Sequence, residues 1–191
     1  MNYLGHLVLS GRNKEVLFGN FIADSIKGNS YLNWPKKIQK GILLHRYIDH
    51  FTDNNIYFLK GKRRFYVDFP KLGGIINDII YDYLLWQYDL KYQSINLSEE
   101  IKRFYRVLDD FKIMMPENVK YMYSYMRKDD WLLNYQTISG IKMALNGIGV
   151  RTNYSNNLSN AFDLVEKDMD NFNNEFELFY KQIKTEVSTF L

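Results

Sequence analysis

The feature that most constrains the fold is the spacing of apolar residues, which is helical along nearly the whole chain. It is clearest at the C-terminal end, where apolar side chains recur every three or four residues: Leu158, Phe162, Val165, Met169, Phe172, Phe176, Phe179, Ile183, Val187 and Phe190. A period of about 3.6 residues is that of one face of an α-helix. The sequence therefore predicts one long amphipathic helix over this segment.

Shorter segments with the same period follow the three prolines, Pro35, Pro70 and Pro116. Proline is tolerated at the start of a helix but breaks a helix interior, so each proline indicates a helix start. Strand-like alternation is weak and confined to "KRRFYVDF", residues 62–69. Residues 1–191 are therefore expected to form a single all-α domain of about seven to nine helices.

Composition excludes several classes of function. The chain of 191 residues has no cysteine, which excludes disulfides, thiolate metal sites and a cysteine nucleophile. A net charge of +3 is too small for a protein that wraps nucleic acid. No apolar run approaches the roughly 20 residues that span a bilayer, and no signal peptide precedes the first apolar run. The sequence predicts a cytoplasmic protein with no membrane span and no nucleic-acid partner.

Two of the three histidines lie beside aspartates in "GILLHRYIDHFTDN", residues 41–54. His45, Asp49 and Asp53 are four residues apart, so on a helix they share one face. Two ligands at this spacing can bind one metal ion. Asp53 equally suits a helix-end role, and His50 is turned about 100° away from Asp49.

Further ligand-type residues lie in apolar surroundings elsewhere. Asp78 and Asp82 are four apart in "INDIIYDYLL", while Asp24 and His6 stand singly. Burial of an unpaired carboxylate costs several kcal/mol, so these acids need cations or hydrogen bonds. Arg46, Arg151 or a divalent ion would meet that need, and each acid alone also suits a helix cap or a hydrogen-bonded core position. The recurrence on three segments favours a metal site.

Six stretches, in order and at similar intervals, resemble the acyl carrier protein phosphodiesterase family. They are "MNYLGHLVLS", "GNFIADSIKG", "GILLHRYIDHFTDN", "GGIINDIIYDYLL", "WLLNY" and "GIGVRT", which together cover nearly the whole chain. The most specific elements are GNxxADxxKG and LHRxIDxFTD.

The resemblance implies an all-helical fold related to HD-type metal phosphohydrolases. It implies a hydrolase of fatty acid and lipid metabolism, dependent on Mn²⁺ or another divalent cation such as Mg²⁺, that releases 4′-phosphopantetheine from holo acyl carrier protein. The catalytic and metal-binding candidates that match the family motifs are Asp24, His45, Asp49, Asp78 and Asp82, with His6 and Asp53 as further candidate ligands.

Basic residues are the candidates for binding the substrate. The cluster Lys60, Lys62, Arg63 and Arg64, with Lys36, Lys37 and Lys40, is expected to steer an acidic carrier protein, unless it is an ordinary solvated face. The predicted substrate-binding residues are Arg46, Lys62, Arg63, Arg64 and Arg151. The sequence gives no indication of the oligomeric state.

Two positions depart from the family pattern and keep alternatives open. Tyr83 stands where members usually carry histidine, and Val150 where they often carry a second arginine. Tyrosine is a poor neutral metal ligand. One alternative is therefore a relative that binds the carrier protein with weakened or lost catalysis. The other is an HD-like phosphohydrolase of a small phosphorylated metabolite or nucleotide.

Overall fold

Every regular element in the computed structural model, which describes residues 1–152 and 157–191, is helical. The described residues form eleven α-helices: α1 (Tyr3–Leu9), α2 (Lys14–Ile22), α3 (Lys36–Asn54), α4 (Ile56–Arg64), α5 (Gly73–Tyr92), α6 (Leu97–Asp110), α7 (Glu117–Lys128), α8 (Trp131–Asn134), α9 (Ile138–Arg151), α10 (Ala161–Lys167) and α11 (Met169–Phe190). Four short 3₁₀-helices lie between them, at Ala23–Ser25, Gly28–Asn33, Lys112–Met114 and Leu158–Asn160. The all-α prediction is confirmed.

The helices are more numerous than the seven to nine expected, because α1, α8 and α10 are too short to show a clear period. The expected single helix from Leu158 is also interrupted, since the backbone of Asp168 leaves helical geometry at φ −131° and ψ 28°. The Asp168 carboxylate accepts a hydrogen bond from Arg64 Nε at 2.7 Å, an interaction that apolar spacing does not encode. The weak strand signal at residues 62–69 falls on the end of α4 and the following turns.

Helix α5 lies at the centre of the core. Its residues 79 to 86 are all buried, and neighbouring helices cover it on several sides. On one side Tyr81 packs edge-on against Phe58, Phe176 and Phe179. The buried apolar residues form one continuous cluster that all the α-helices join. Within residues 1–152 and 157–191, no helix is both long and apolar enough to cross a membrane.

Helices α2 and α3 touch backbone to backbone, and this contact brings the polar residues of the site together. A Cβ atom built on Gly19 would lie 2.2 Å from the Ile38 carbonyl oxygen, and one on Gly41 would lie 2.1 Å from the Val16 carbonyl oxygen. No side chain fits at such distances, so both positions require glycine. The close approach sets Asn20, the residue after Gly19, against His45 one turn after Gly41.

Candidate metal centre

Three side chains from α1 and α3 converge on one point. His6 Nε2 lies 3.1 Å from Asp49 Oδ1, and His45 Nε2 lies 3.1 Å from Asp49 Oδ2. The two imidazole rings are stacked, with centroids 4.0 Å apart. One ligand atom from each of these residues lies within 4.8 Å of the other two. The three side chains are called the His6–His45–Asp49 cluster below.

Asn20 orients both imidazoles. Its Oδ1 contacts His6 Nδ1 at 3.1 Å and His45 Nδ1 at 2.9 Å. Its Nδ2 donates to the His6 carbonyl oxygen at 3.1 Å and to Ser10 Oγ at 2.9 Å. A flipped amide would set Oδ1 against the His6 carbonyl oxygen, so Oδ1 must face the rings. Each Nδ1 therefore carries a proton and donates it to Asn20.

This tautomer leaves the cluster in need of a cation. With both Nδ1 atoms protonated, the two Nε2 atoms face the Asp49 carboxylate, and the Nε2 of a neutral ring presents a lone pair to it. Lone pairs at these distances repel unless a proton or a metal ion lies between them. Imidazoles that donate their other ring N–H to a fixed acceptor are typical of metal sites.

The charges of the cluster agree with this requirement. Burial lowers the pKa of His6 to about 4, and the neighbouring His45 adds to the effect. Against burial, the carboxylates of Asp24 and Asp49 raise the pKa of His45 to about 9. Although burial opposes it, both imidazoles hold the pKa of Asp49 well below its usual range. At neutral pH the positive charge of His45 thus faces the two carboxylates of Asp24 and Asp49, an excess of negative charge that a divalent ion would neutralise.

The donor set and its spacing fit a divalent metal ion. Ligands about 2.1 Å from one ion and at right angles to each other are about 3.0 Å apart. Both Nε2–carboxylate separations of 3.1 Å match that value. Imidazole nitrogen together with carboxylate oxygen suits transition metals such as manganese, iron and zinc.

Three further predicted residues line the cavity of about 300 Å³ that holds the cluster. The Asp24 carboxylate lies 3.3 Å from His45 Nε2, is 76% exposed, and has its pKa lowered by the hydrogen bond from His45. Asp78 is half-buried and binds the amino group of Met1 at 2.6 Å. Asp53 is exposed at the end of α3. Asp24 is thus the nearest additional candidate ligand, whereas Asp78 and Asp53 lie on the cavity wall.

The structure places Asp82 outside the cluster. It is fully buried, and its two oxygens accept hydrogen bonds from the backbone N–H groups of Leu4 at 2.8 Å and Gly5 at 3.0 Å. These groups belong to the first turn of α1, where the helix dipole favours a negative charge. Asp82 therefore holds α1, and with it His6, in place, and lines neither cavity next to the cluster.

Most of the predicted substrate-binding residues lie away from the cluster. Arg46 donates to the carbonyl oxygens of Ile26 and Gly28, both at 2.9 Å, and so fixes the segment after Asp24. Arg64 is tied to Asp168 and Glu175. Lys62 and Arg63 share α4 with it, and no α4 residue lines the cavity. Arg151 alone among them lines a neighbouring cavity together with Asp24.

Tyr83 and His50, which the sequence marks out by their side-chain chemistry, both lie away from the cluster. Tyr83 packs edge-on against Phe162, with ring centroids 5.3 Å apart, and lines neither cavity next to the cluster. His50 is exposed, and its neighbour in the described structure is Asn54. The substitution at Tyr83 therefore leaves the ligand set intact.

Asn20 is the residue of the candidate site that spacing arguments missed, and His6 is more central than they indicated. Both lie within the quoted motifs, Asn20 in "GNFIADSIKG" and His6 in "MNYLGHLVLS". An asparagine carries no charge and is a common surface residue, so its residue type did not indicate a role in the site. The available signal was its position directly after Gly19. His6 lies far from His45 in sequence, and the packing of α1 alone brings the two rings together.

Comparisons with known proteins identify the family of the chain. Residues 1–183 match the family described as acyl carrier protein phosphodiesterase. Among curated proteins of that name, the one from Photorhabdus laumondii subsp. laumondii is 26% identical over 94% of this chain and 91% of its own length. The Klebsiella pneumoniae (strain 342) protein is 27% identical over 96% and 95%, and that of Escherichia coli O6:H1 is 25% identical over 98% of each chain. No solved structure matches significantly. Since the match extends over nearly the whole chain, this protein belongs to the acyl carrier protein phosphodiesterase family.

Proposed function

We propose that this protein is a metal-dependent phosphodiester hydrolase that releases 4′-phosphopantetheine from holo acyl carrier protein. The observation that carries the proposal is the His6–His45–Asp49 cluster, in which one amide oxygen fixes both imidazoles so that both Nε2 atoms face one carboxylate. The family of the chain supplies the reaction and the substrate. We place the activity in the cytoplasm and in fatty acid biosynthesis, as the family resemblance implies.

Each side chain has a separate task in this proposal. His6, His45 and Asp49 hold the ion, and Asn20 keeps the two rings in the ligating tautomer. Asp24 lies at the rim with its carboxylate ionised, where it can orient a water molecule by accepting a hydrogen bond. When bound, a divalent ion supplies Lewis-acid stabilisation of the phosphate charge and a lower pKa of water. Asp82 acts at a distance, because it positions the first turn of α1.

The reaction is a hydrolysis and needs no further reactant. A water oxygen bonds to phosphorus as the water gives up a proton, the bond between phosphorus and the serine oxygen of the carrier protein breaks, and the serine oxygen takes up a proton, so that one water molecule is consumed. The products are the apo carrier protein and 4′-phosphopantetheine. We propose Mn²⁺ as the ion, because two imidazoles with a carboxylate suit manganese better than Mg²⁺, which prefers oxygen ligands and retains its water.

The test is a mass measurement on the carrier protein. Holo acyl carrier protein is incubated with the metal-free protein, with and without added Mn²⁺, and loss of the phosphopantetheine mass is followed. We expect loss only with metal, and none with His45→Gln. His50→Gln is the matched control, because His50 shares α3 but is exposed and lies away from the cluster. Equal activity of His45→Gln and His50→Gln would contradict the proposal.

The same assay separates the rival functions. A phosphohydrolase of small metabolites or nucleotides would cleave bis(p-nitrophenyl) phosphate and leave holo carrier protein intact. A relative that has lost catalysis would bind the carrier protein without metal uptake or turnover. The second rival was suggested by Tyr83, which stands where family members usually carry histidine. Because Tyr83 packs in the core away from the cluster, it no longer supports that rival.

A further inference from the structure

A second cavity, with a volume of about 510 Å³, adjoins the metal centre. Four residues line both cavities: Asn2, Tyr3, Asp24 and Asp78. From this shared wall the second cavity continues along residues of α5, α8 and α9. Six residues of α9 line it: Gly140, Met143, Ala144, Gly147, Ile148 and Arg151. We call it the α9 groove. A ligand with one end at the metal centre can therefore extend into the groove.

The wall of the α9 groove is largely apolar, with Asp129 and Asn134 as polar residues away from the metal centre. Ile79, Trp131 and Ile148 contribute to its wall, together with two large apolar side chains that remain exposed, Ile75 at 40% and Met143 at 67%. Exposed apolar groups that line a concave site are typical of ligand contacts. The volume also lies within the roughly 300 to 1,000 Å³ of small-molecule sites. The apolar part of the wall suits an uncharged ligand.

Charged groups lie where the groove meets the metal centre. Asp24 and Tyr3 line both cavities, and Arg151, at the end of α9, lines the groove and interacts electrostatically with Tyr3. Among the described residues Arg151 has no hydrogen-bond or ion-pair partner, so its guanidinium is available to an anion. The charge pattern thus suits a ligand whose phosphate lies at the centre and whose neutral part lies along α9.

Gly147 lines the groove beside open space. A Cβ atom built on this residue meets no atom within 4 Å, so the space beside it is empty. By contrast, a Cβ on Gly140 would lie 2.0 Å from the Asn134 carbonyl oxygen, where α8 and α9 touch. A large side chain at position 147 would therefore enter the groove without displacing the backbone.

We infer that the α9 groove binds the pantetheine arm of the substrate while the phosphate lies at the His6–His45–Asp49 cluster. The arm is a neutral chain of methylenes and two amides with a dimethyl branch, which matches an apolar groove that begins at an anion site. This inference rests on the proposed function, because the arm is defined by that substrate. The carrier protein then lies outside the groove, on the serine side of the phosphate.

The experiment fills the groove at its empty point with Gly147→Trp. The matched control is Val150→Trp, on the same helix at a residue that is 81% exposed and does not line the groove. Turnover of holo carrier protein and of bis(p-nitrophenyl) phosphate is measured for both variants and the wild type, together with Mn²⁺ content and melting temperature. Binding of free pantetheine is followed by NMR.

We expect kcat/KM for holo carrier protein to fall about 30-fold in Gly147→Trp, the range of one filled apolar pocket. This decrease in kcat/KM should be at least about tenfold larger than any decrease in kcat/KM for bis(p-nitrophenyl) phosphate. Mn²⁺ content should be retained, and Val150→Trp should behave as wild type. Equal kcat/KM of Gly147→Trp and wild type on holo carrier protein would overturn the inference. If the wild-type protein turns over neither substrate, the proposed function fails, and the binding of free pantetheine then tests the groove separately. Pantetheine binding that Gly147→Trp abolishes would support the inference. Absence of pantetheine binding to the wild-type protein would overturn it.

Discussion

Two aspartates on the long helices α3 and α5 show how similar sequence surroundings lead to different roles. Asp49 and Asp82 each follow another ligand-type residue by four positions and stand among apolar residues. Asp49 lies 3.1 Å from both His6 Nε2 and His45 Nε2, whereas Asp82 accepts hydrogen bonds from two backbone N–H groups of α1. A carboxylate in an apolar setting needs a partner, and a helix N-terminus serves as well as a metal ion.

The two regions also act together. Asp82 fixes the first turn of α1, and α1 carries His6 to the cluster. The carboxylate on α5 is thus part of the structure that supports the site, and the one on α3 is part of the site itself. Substitution should therefore affect metal binding at Asp49 and folding stability at Asp82.

The largest effect is expected for Asp49→Asn. The amide keeps the shape of the side chain but removes the charge that both Nε2 atoms face. We expect turnover of holo carrier protein to fall about 1,000-fold, with loss of bound Mn²⁺. Metal content by elemental analysis and the carrier mass assay measure the two losses. Wild-type metal content in this variant would exclude Asp49 as a ligand.

Asp82→Ala should instead lower the free energy of unfolding by about 3 kcal/mol, because two buried N–H groups lose their acceptor. Urea denaturation measures the change, and Asp82→Asn, which keeps one acceptor oxygen, should lose about half as much. The folded fraction should still bind Mn²⁺. A variant with wild-type stability and no metal would reverse the roles that we assign to the two aspartates.

The metal-free protein should lose stability as the pH rises past neutral. The pKa of His45 is raised from 6.5 to about 9, so its contribution is complete below pH 6.5 and is lost as the pH rises through 9. The loss is on the order of 3 kcal/mol. The free energy of unfolding is measured between pH 6 and 10 for the wild-type protein and for His45→Gln, which lacks the titrating ring. A stability difference between the two proteins that does not change with pH would contradict the assignment.

Asn20→Ala should weaken Mn²⁺ binding about 10- to 100-fold, the range for residues that orient metal ligands. The control is Ser10→Ala, which removes one partner of the Asn20 amide but leaves both contacts to the rings. Calorimetry gives the affinities, and ¹⁵N NMR of the histidine rings reports the tautomers. Unchanged tautomers in Asn20→Ala would show that other groups orient the rings.

The smallest effect concerns the basic surface of α4, outside both regions. Arg63→Glu should raise KM for holo carrier protein about threefold at low salt, because exposed charges mainly affect encounter. The difference should disappear in high salt. Arg64 is unsuitable for this test, since its ion pairs with Asp168 and Glu175 contribute to packing. A KM for Arg63→Glu equal to that of wild type at low salt would remove this surface from carrier binding.

Apolar periodicity was sufficient to predict the helical fold, but not the point at which a helix ends. At the interruption, Asp168 pairs with Arg64, which is distant in sequence. The four-residue spacing of His45 and Asp49 correctly placed them on one face, because that relation is internal to one helix.

The rest of the candidate site depends on contacts between helices. The approach of Gly19 and Gly41 sets Asn20 against His45, and Asp82 sets α1 so that His6 completes the cluster. The spacing of residues within one segment cannot predict any of these contacts between helices. For the same reason Asp78 and Asp82, which look alike in sequence, differ in role: one lines the cavity and the other caps α1.

The central claim is that the His6–His45–Asp49 cluster binds one metal ion through two imidazoles. Pulsed electron paramagnetic resonance of the protein loaded with Mn²⁺ tests this directly, because it detects nitrogen nuclei bonded to the ion. We predict one Mn²⁺ per chain with coupling to two histidine nitrogens, reduced to one in His6→Gln. Bound Mn²⁺ without nitrogen coupling, or coupling that His6→Gln leaves unchanged, would contradict the account.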